Sequence, residues 1–152
     1  MPNYRRPEVT GASIFFTVAL ADRGSSLLTE EIARLREAVR LTRDERPFGI
    51  SAWVVLPDHL HCIWDLPTGD RDYPTRWRLI KSRFSRGLPI GARRESHAKR
   101  GERGIWQRRY WEHHLRDEAD FTAHLKYCWV NPVRHGLVDR PEDWPYSSIH
   151  WR

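Results

Sequence analysis

Sulfur is scarce in this chain: 152 residues hold one methionine and two cysteines, Cys62 and Cys128. Each cysteine lies in an apolar stretch, so both are expected to be reduced and packed inside rather than joined in a disulfide framework. Long apolar runs are missing too, and none approaches the ~20 residues of a membrane-spanning helix. The opening Met1-Pro-Asn-Tyr-Arg-Arg-Pro7 lacks the apolar centre of a secretory signal. A cytoplasmic protein is the expectation. There are no internal repeats. What is present is a 39% hydrophobic content and eight tryptophans, which argue for a folded chain. One domain, 1–152, is the expectation at this length, and it can bury a core without disulfides or a structural metal.

Acidic residues are nearly absent from one stretch. Between Arg76 and Arg109 the chain has twelve Lys and Arg against Glu95 and Glu102, a net +10. The remainder, with fourteen basic and eighteen acidic residues, is net −4. A solvated loop is the plain explanation. A phosphate-binding surface is favoured, because a one-sided field steers a polyanion.

Residues 1–12, broken by Pro2, Pro7 and Gly11, read as an N-terminal arm. Residues 13–20 are β-branched and aromatic, a first strand. Thr29 caps an expected helix over 29–41, with Ile32, Leu35 and Val39 at helical spacing. Strands are expected over 48–56 and 59–66, separated by a turn at Pro57-Asp58. A basic helix is expected over 75–86, a polar basic loop over 87–104 and a fourth strand over 105–115. A last helix should run over 117–131, capped by Asp117, with Glu118 and Asp120 in its first turn and Pro132 and Gly136 stopping it. The tail, 139–152, should fold back through Trp144, Pro145, Tyr146 and Trp151. This order of elements gives an α+β fold with a ferredoxin-like split βαβ arrangement: one antiparallel sheet with helices packed on it.

His59-Leu60-His61 sits in the third strand. Alternation puts the two imidazoles on one face and Leu60 on the other, so both rings can reach one metal ion. A pair of surface histidines on an edge strand is the plain alternative. On the last helix, at 100° per residue, Asp120, His124, Tyr127 and Asn131 fall within about 60° of one another. Phe121, Leu125, Cys128 and Trp129 form the neighbouring, core-facing side. Tyr127 is then either a rim residue of the core or a phenolic nucleophile beside metal ligands. Asn131 offers a carbonyl oxygen which, with His59 and His61, makes a mixed nitrogen and oxygen site suited to Mg²⁺ or Mn²⁺. The alternative is that Asn131-Pro132 is only a helix stop. His124 reads as a proton-transfer candidate or a satisfied helix-face residue. Glu112, His113 and His114 stay unassigned, with Glu112 and His114 on one face of a strand.

These residues resemble the REP-associated tyrosine transposases, relatives of the single-tyrosine HUH transposases. The matching stretches are Arg5-Arg6 with Phe15-Phe16-Thr17; Val55-Leu-Pro-Asp-His-Leu-His61; Trp106-Gln-Arg-Arg-Tyr-Trp-Glu-His113 with Arg116; Tyr127-Cys-Trp-Val-Asn-Pro-Val-Arg-His-Gly-Leu-Val138; and Trp144-Pro-Tyr-Ser-Ser148. They cover most of the chain, in family order. The resemblance implies that His59 and His61 are the HUH ligands, with Asn131 as the third. It implies that Tyr127 attacks a phosphodiester of single-stranded DNA near a hairpin, leaving a 5′-phosphotyrosine and a free 3′-hydroxyl. The expected partner is single-stranded or hairpin DNA, met by Arg76, Trp77, Lys81, Arg83, Arg86, Arg93, Arg94, Trp106, Arg108 and Arg109, with bases stacked on aromatics and phosphates held by arginines. Trp77 and Trp106 are equally at home in a core. A monomer is favoured over a homodimer, because no spare apolar surface stands out. The rivals are a non-catalytic hairpin-binding protein, in which Tyr127 would be structural, and a metal-dependent nuclease that uses water.

Overall fold

A computed structural model describes residues 11–88 and 104–151. Most of the expected N-terminal arm and basic loop, with Arg93 and Arg94, lies outside the described residues. The elements are β1 (Ser13–Ala19), α1 (Leu27–Glu30), α2 (Ile32–Glu45), β2 (Gly49–Val55), β3 (His59–Asp65), α3 (Tyr73–Arg86), β4 (Trp111–His114) and α4 (Glu118–Arg134), followed by two short 3₁₀ turns. The four strands form one sheet in the order β2-β3-β1-β4, every pair antiparallel. β1 and β2 therefore run the same way with β3 between them. β3 and β4 are related likewise across β1. Two interleaved split βαβ units of this kind are the ferredoxin-like arrangement.

Alternation along β1 divides the molecule into two layers. Ile14, Phe16 and Val18 join Leu60, Cys62 and Trp64 of β3 in the main core, under Leu35 and Ala38 of α2 and Trp77, Ile80 and Phe84 of α3. Trp77 stacks on Trp64 at 4.3 Å and meets Phe16 edge-on at 5.4 Å. Such aromatic pairs add about 0.5–1.5 kcal/mol each beyond the area they bury. The opposite face carries Phe15, Ala52, Val54 and Ile63, covered by Cys128 with Phe121, Leu125, Tyr127 and Trp129 of α4. His59 and His61 project on this second face, opposite Ala19 and Thr17 of β1. Both cysteines are free and buried.

Four elements differ from their sequence expectation. The fourth strand is four residues long, not 105–115. Trp106 bridges Leu20 and Trp111 pairs with Thr17, so five steps along this segment face only three along β1. The surplus loops out and splits the strand. α4 does not stop at Pro132, which lies inside the helix. The ends of α2 and α3 shift by a few residues. Asp72 caps α3 by accepting from Thr75 N, and Pro74 sits in the first turn, where no amide hydrogen is needed. Thr29 caps nothing: its hydroxyl donates to Ser26 O inside the short α1.

Candidate metal and nucleophile site

The β2–β3 hairpin turns through Pro57 and Asp58, closed by Leu56 N donating to His59 O at 2.8 Å. The turn sets the Asp58 carboxylate beside the first histidine. Asp58 Oδ1 lies 2.7 Å from His59 Nδ1. Asp58 is held below the usual carboxylate range: burial pulls its pKa up, but hydrogen bonds from His59 and Arg23 outweigh that. An ionised carboxylate only accepts, so His59 Nδ1 carries the hydrogen and Nε2 keeps its lone pair. Thr17 Oγ1 lies 2.8 Å from His61 Nδ1 and can fix the second ring in the same tautomer.

Both imidazoles are buried and their rings lie 4.9 Å apart. Burial, with further repulsion from His59 and His135, pushes His61 down to about 3, while the Asn131 side chain acts in the opposite sense. Burial likewise lowers His59, against the pull of Asp58. Neutral imidazoles are what a metal ion requires of its ligands.

α4 brings the other two residues. Its N-terminus is capped as expected, Asp117 accepting from Asp120 N at 2.8 Å. At its C-terminus His135 N, Gly136 N and Leu137 N donate to Asn131 O, Val133 O and Pro132 O, with Gly136 at φ +72°. This Schellman closure lets the helix run past Pro132 and keeps Asn131 within it. Asn131 is 1% exposed. The Tyr127 ring lies 5.1 Å from that of His61, and Phe15 stacks on His61 at 5.6 Å. His61 Nε2 and Asn131 Oδ1 are both buried and have no hydrogen-bond partner. With the His61 hydrogen on Nδ1 both atoms are acceptors, one nitrogen and one oxygen, a pair that suits a cation and is costly otherwise. The residues present therefore fit a divalent metal ion.

Five further residues complete the site. Arg23 ion-pairs with Asp58 at 2.9 Å and approaches His59 Nδ1 at 3.4 Å. The His135 ring lies 5.2 Å from that of His59, and the Arg134 guanidinium sits 5.4 Å over the Tyr127 ring. Thr17 and Asp58 are the other two. Asp58, Arg134 and His135 adjoin the motif residues in sequence and could have been picked out for that reason. Thr17 lies in the matching stretch Phe15-Phe16-Thr17, but its place beside His61, like that of Arg23 beside Asp58, comes only through tertiary pairing. A cleft of about 250 Å³ opens here, lined by Arg23, Ser25, Asp58, His59 and His135. A larger cleft of about 700 Å³, between α2 and the C-terminal turns, holds none of the candidate residues.

The expected DNA contacts divide. Arg76 is 3% exposed and donates five hydrogen bonds, to Asp70 Oδ1 and Oδ2 and to the carbonyls of Arg46, Pro47 and Asp72. It is a buried tie between loops rather than a surface cation. Trp77 and Trp106 are core residues, Trp106 packing against Phe84 at 5.4 Å. Arg83 bonds Thr42 Oγ1 and pairs with Glu45. Lys81 donates to Gln107 O and is pushed down to about 8 by burial. Arg86, Arg108 and Arg109 are exposed. Glu112 and His114 share the sheet face opposite the site, both against Tyr73. His113 points to the site's side and, with Asp120 and His124, forms a group of donor atoms within 4.8 Å of one another.

No protein-family model matches the chain. It is 45% identical over 150 residues to the REP-associated tyrosine transposase of Escherichia coli (strain K12), a match spanning 99% of this chain and 84% of the relative. A Haemophilus influenzae relative, provisionally given the same name, is 45% identical over 152 residues, 99% of this chain and 86% of its own length. Among solved structures, a REP-associated tyrosine transposase bound to a REP hairpin matches with a TM-score of 0.85 at 46% identity, over 99% of this chain and 84% of that one. A Deinococcus radiodurans protein provisionally described as a transposase shares the fold, with a TM-score of 0.55 at 18% identity over 82% of this chain and 94% of its own. Among the described residues, no helix is long and apolar enough to cross a membrane.

Proposed function

The chain belongs to the REP-associated tyrosine transposases, and on that premise we propose that it nicks and rejoins single-stranded DNA beside a hairpin, with Tyr127 as nucleophile. The observation that carries the reading is the pair of orphaned buried acceptors, His61 Nε2 and Asn131 Oδ1, beside the Tyr127 ring. His59, His61 and Asn131 would hold Mg²⁺ or Mn²⁺. When bound, such an ion supplies Lewis-acid polarisation of the scissile phosphate.

The chain's own residues do the rest. Asp58 and Thr17 hold the two imidazoles in the ligating tautomer. Tyrosine has a pKa of ~10 and needs help to ionise. The Arg134 guanidinium over the Tyr127 ring supplies positive charge beside the developing phenolate. Tyr127 Oη bonds to phosphorus as the bond from phosphorus to the 3′-oxygen breaks. The phenolic proton is lost and the departing oxygen takes one up, leaving a 5′-phosphotyrosine and a 3′-hydroxyl. The phosphoester energy is retained, so the reverse step can join a different 3′ end. Arg86, Arg108 and Arg109, with Arg93 and Arg94, are the arginines proposed to meet the DNA backbone.

The test is a denaturing gel of the protein with Mn²⁺ and labelled single-stranded hairpin oligonucleotides. A labelled protein band that survives boiling in detergent, and is absent with Tyr127→Phe, is the expected result. Binding without any covalent band would make this a hairpin-binding protein. Cleavage persisting in Tyr127→Phe would make it a water-using nuclease.

A further inference from the structure

We propose that His113, Asp120 and His124 form a second metal site, for a divalent transition-metal ion of the zinc type, that fastens strand β4 to the helix carrying Tyr127. Two imidazoles and one carboxylate are a donor set that holds such ions, with water completing the shell. The three residues come from two elements. His113 lies on β4 opposite Phe15, while Asp120 and His124 are one turn apart on one face of α4.

Their geometry is already close to a site. Asp120 Oδ2 is 2.9 Å from His113 Nε2, and Asp120 Oδ1 is 3.2 Å from His124 Nδ1. The two imidazole rings face each other at 4.8 Å, 26° from parallel. Donors that each bind zinc at ~2.1 Å stand roughly 3.0–3.6 Å apart, so small side-chain rotations suffice. Asp120 is held in place by the Arg116 amide, which donates to Oδ2 at 3.0 Å. The Arg116 guanidinium approaches that oxygen at 3.7 Å, but its side chain is 81% exposed and free to swing into solvent. His124 Nδ1 also lies 2.9 Å from Asp120 O. With its hydrogen on Nδ1 the ring bonds that carbonyl, and with its hydrogen on Nε2 it offers Nδ1 to the ion.

This group is separate from the His59, His61 and Asn131 group. β3 and β4 flank β1 on opposite sides, and His61 faces Thr17 while His113 faces Phe15, so the two stand two strand spacings apart across the sheet, about 10 Å, and two residues apart along it. The Phe15 ring touches both groups, lying 5.6 Å from His61 and 4.8 Å from His124. The consequence is mechanical. β4 is a four-residue edge strand, and a metal bond from it to α4 would fix the helix three residues ahead of the nucleophile.

The experiment counts Zn²⁺ by equilibrium dialysis against the intact chain, with thermal melts as control. The wild type is expected to bind two ions per chain, one of them on the site proposed above for function. His124→Gln should bind one, and so should His61→Ala. In the His61→Ala background, Zn²⁺ should still raise the melting temperature, and adding His113→Gln should remove that rise. Should His124→Gln fail to fold, the His61→Ala comparison with and without His113→Gln decides. Zinc counts unchanged in both His113→Gln and His124→Gln would overturn the second site and leave a hydrogen-bonded cluster only. A count unchanged in His61→Ala would count against the first site and leave this one standing.

Discussion

The Thr17 hydroxyl stands to His61 as the Asp58 carboxylate stands to His59: each lies within hydrogen-bond distance of Nδ1, which leaves Nε2 as the nitrogen a metal would take. Such partners usually matter 10–100-fold in metal affinity. Thr17→Val should therefore weaken Mn²⁺ binding by about 10–100-fold, measured by calorimetry, with an unchanged circular dichroism spectrum. An unaltered affinity would show that packing alone orients His61. Lys81 gives a second residue-scale test. Its ammonium is mostly buried with Gln107 O and the Tyr110 ring as partners, and its pKa is about 8 against an ordinary 10.5. The folded state thus binds fewer protons than the unfolded state between these values, so stability rises with pH across that window. Below about pH 8 the full penalty applies, on the order of 3 kcal/mol before the hydrogen bond is counted. Relative to Lys81→Met, the wild type should gain unfolding free energy from pH 8 to pH 10.5 in urea titrations. A flat difference would mean that Lys81 is solvated.

α4 shows at the scale of the element how the site is assembled and where sequence reading stops. Its cap at Asp117, its core-facing side and the shared face of Tyr127 and Asn131 were all legible from spacing. The continuation past Pro132 was not. A proline lacks an amide hydrogen and disfavours helix at the residue before it, so Asn131 looked like a terminus. What prevails is the closure beyond it, the bonds from Gly136 N to Val133 O and from Leu137 N to Pro132 O that go with Gly136 in the left-handed region. No atom crowds a Cβ at Gly136, so Gly136→Ala isolates the conformational cost. It should destabilise the fold by about 1–2 kcal/mol in chemical denaturation. It should also lower Mn²⁺ affinity, because the turn that holds Asn131 is the one disturbed. β4 is shorter than its sequence pattern for a different reason. Its aromatic and charged pattern continues through 105–115, but the five steps from Trp106 to Trp111 face only three, from Leu20 to Thr17, on the partner. That mismatch belongs to the partner strand and cannot be read from the segment itself. Alternation alone puts His59 and His61 on one face, whereas the contacts of Thr17 with His61 and of Arg23 with Asp58 are visible only once the chain is folded.

The charge of the whole molecule is misleading until the partners of each cation are known. The segment from Arg76 to Arg109 is net +10, yet part of that charge is already engaged by partners within the chain. Arg76 answers Asp70, Arg83 answers Glu45, and the Lys81 ammonium is mostly buried. The exposed remainder, including Arg86, Arg108 and Arg109, is what a polyanion would meet. If DNA binds there, removing one arginine from its phosphate should flatten the dependence of log affinity on log salt by about 0.7 for a single strand or 0.9 for a duplex. Arg108→Ala and Arg109→Ala, each made alone, should lower hairpin affinity modestly and flatten the slope by about that amount, with unchanged melting temperature. Arg76→Ala should do the reverse. It removes the guanidinium partner of Asp70 and three hydrogen bonds to the carbonyls of Arg46, Pro47 and Asp72, so it should cost about 2–4 kcal/mol of stability. Among molecules that remain folded, its salt slope should match the wild type. Salt titrations of binding to one labelled hairpin, run beside urea denaturation of each variant, distinguish the two classes. An Arg76→Ala protein that folds normally but binds with a flattened salt dependence would return that residue to the DNA surface and place the binding face on the loop side of α3.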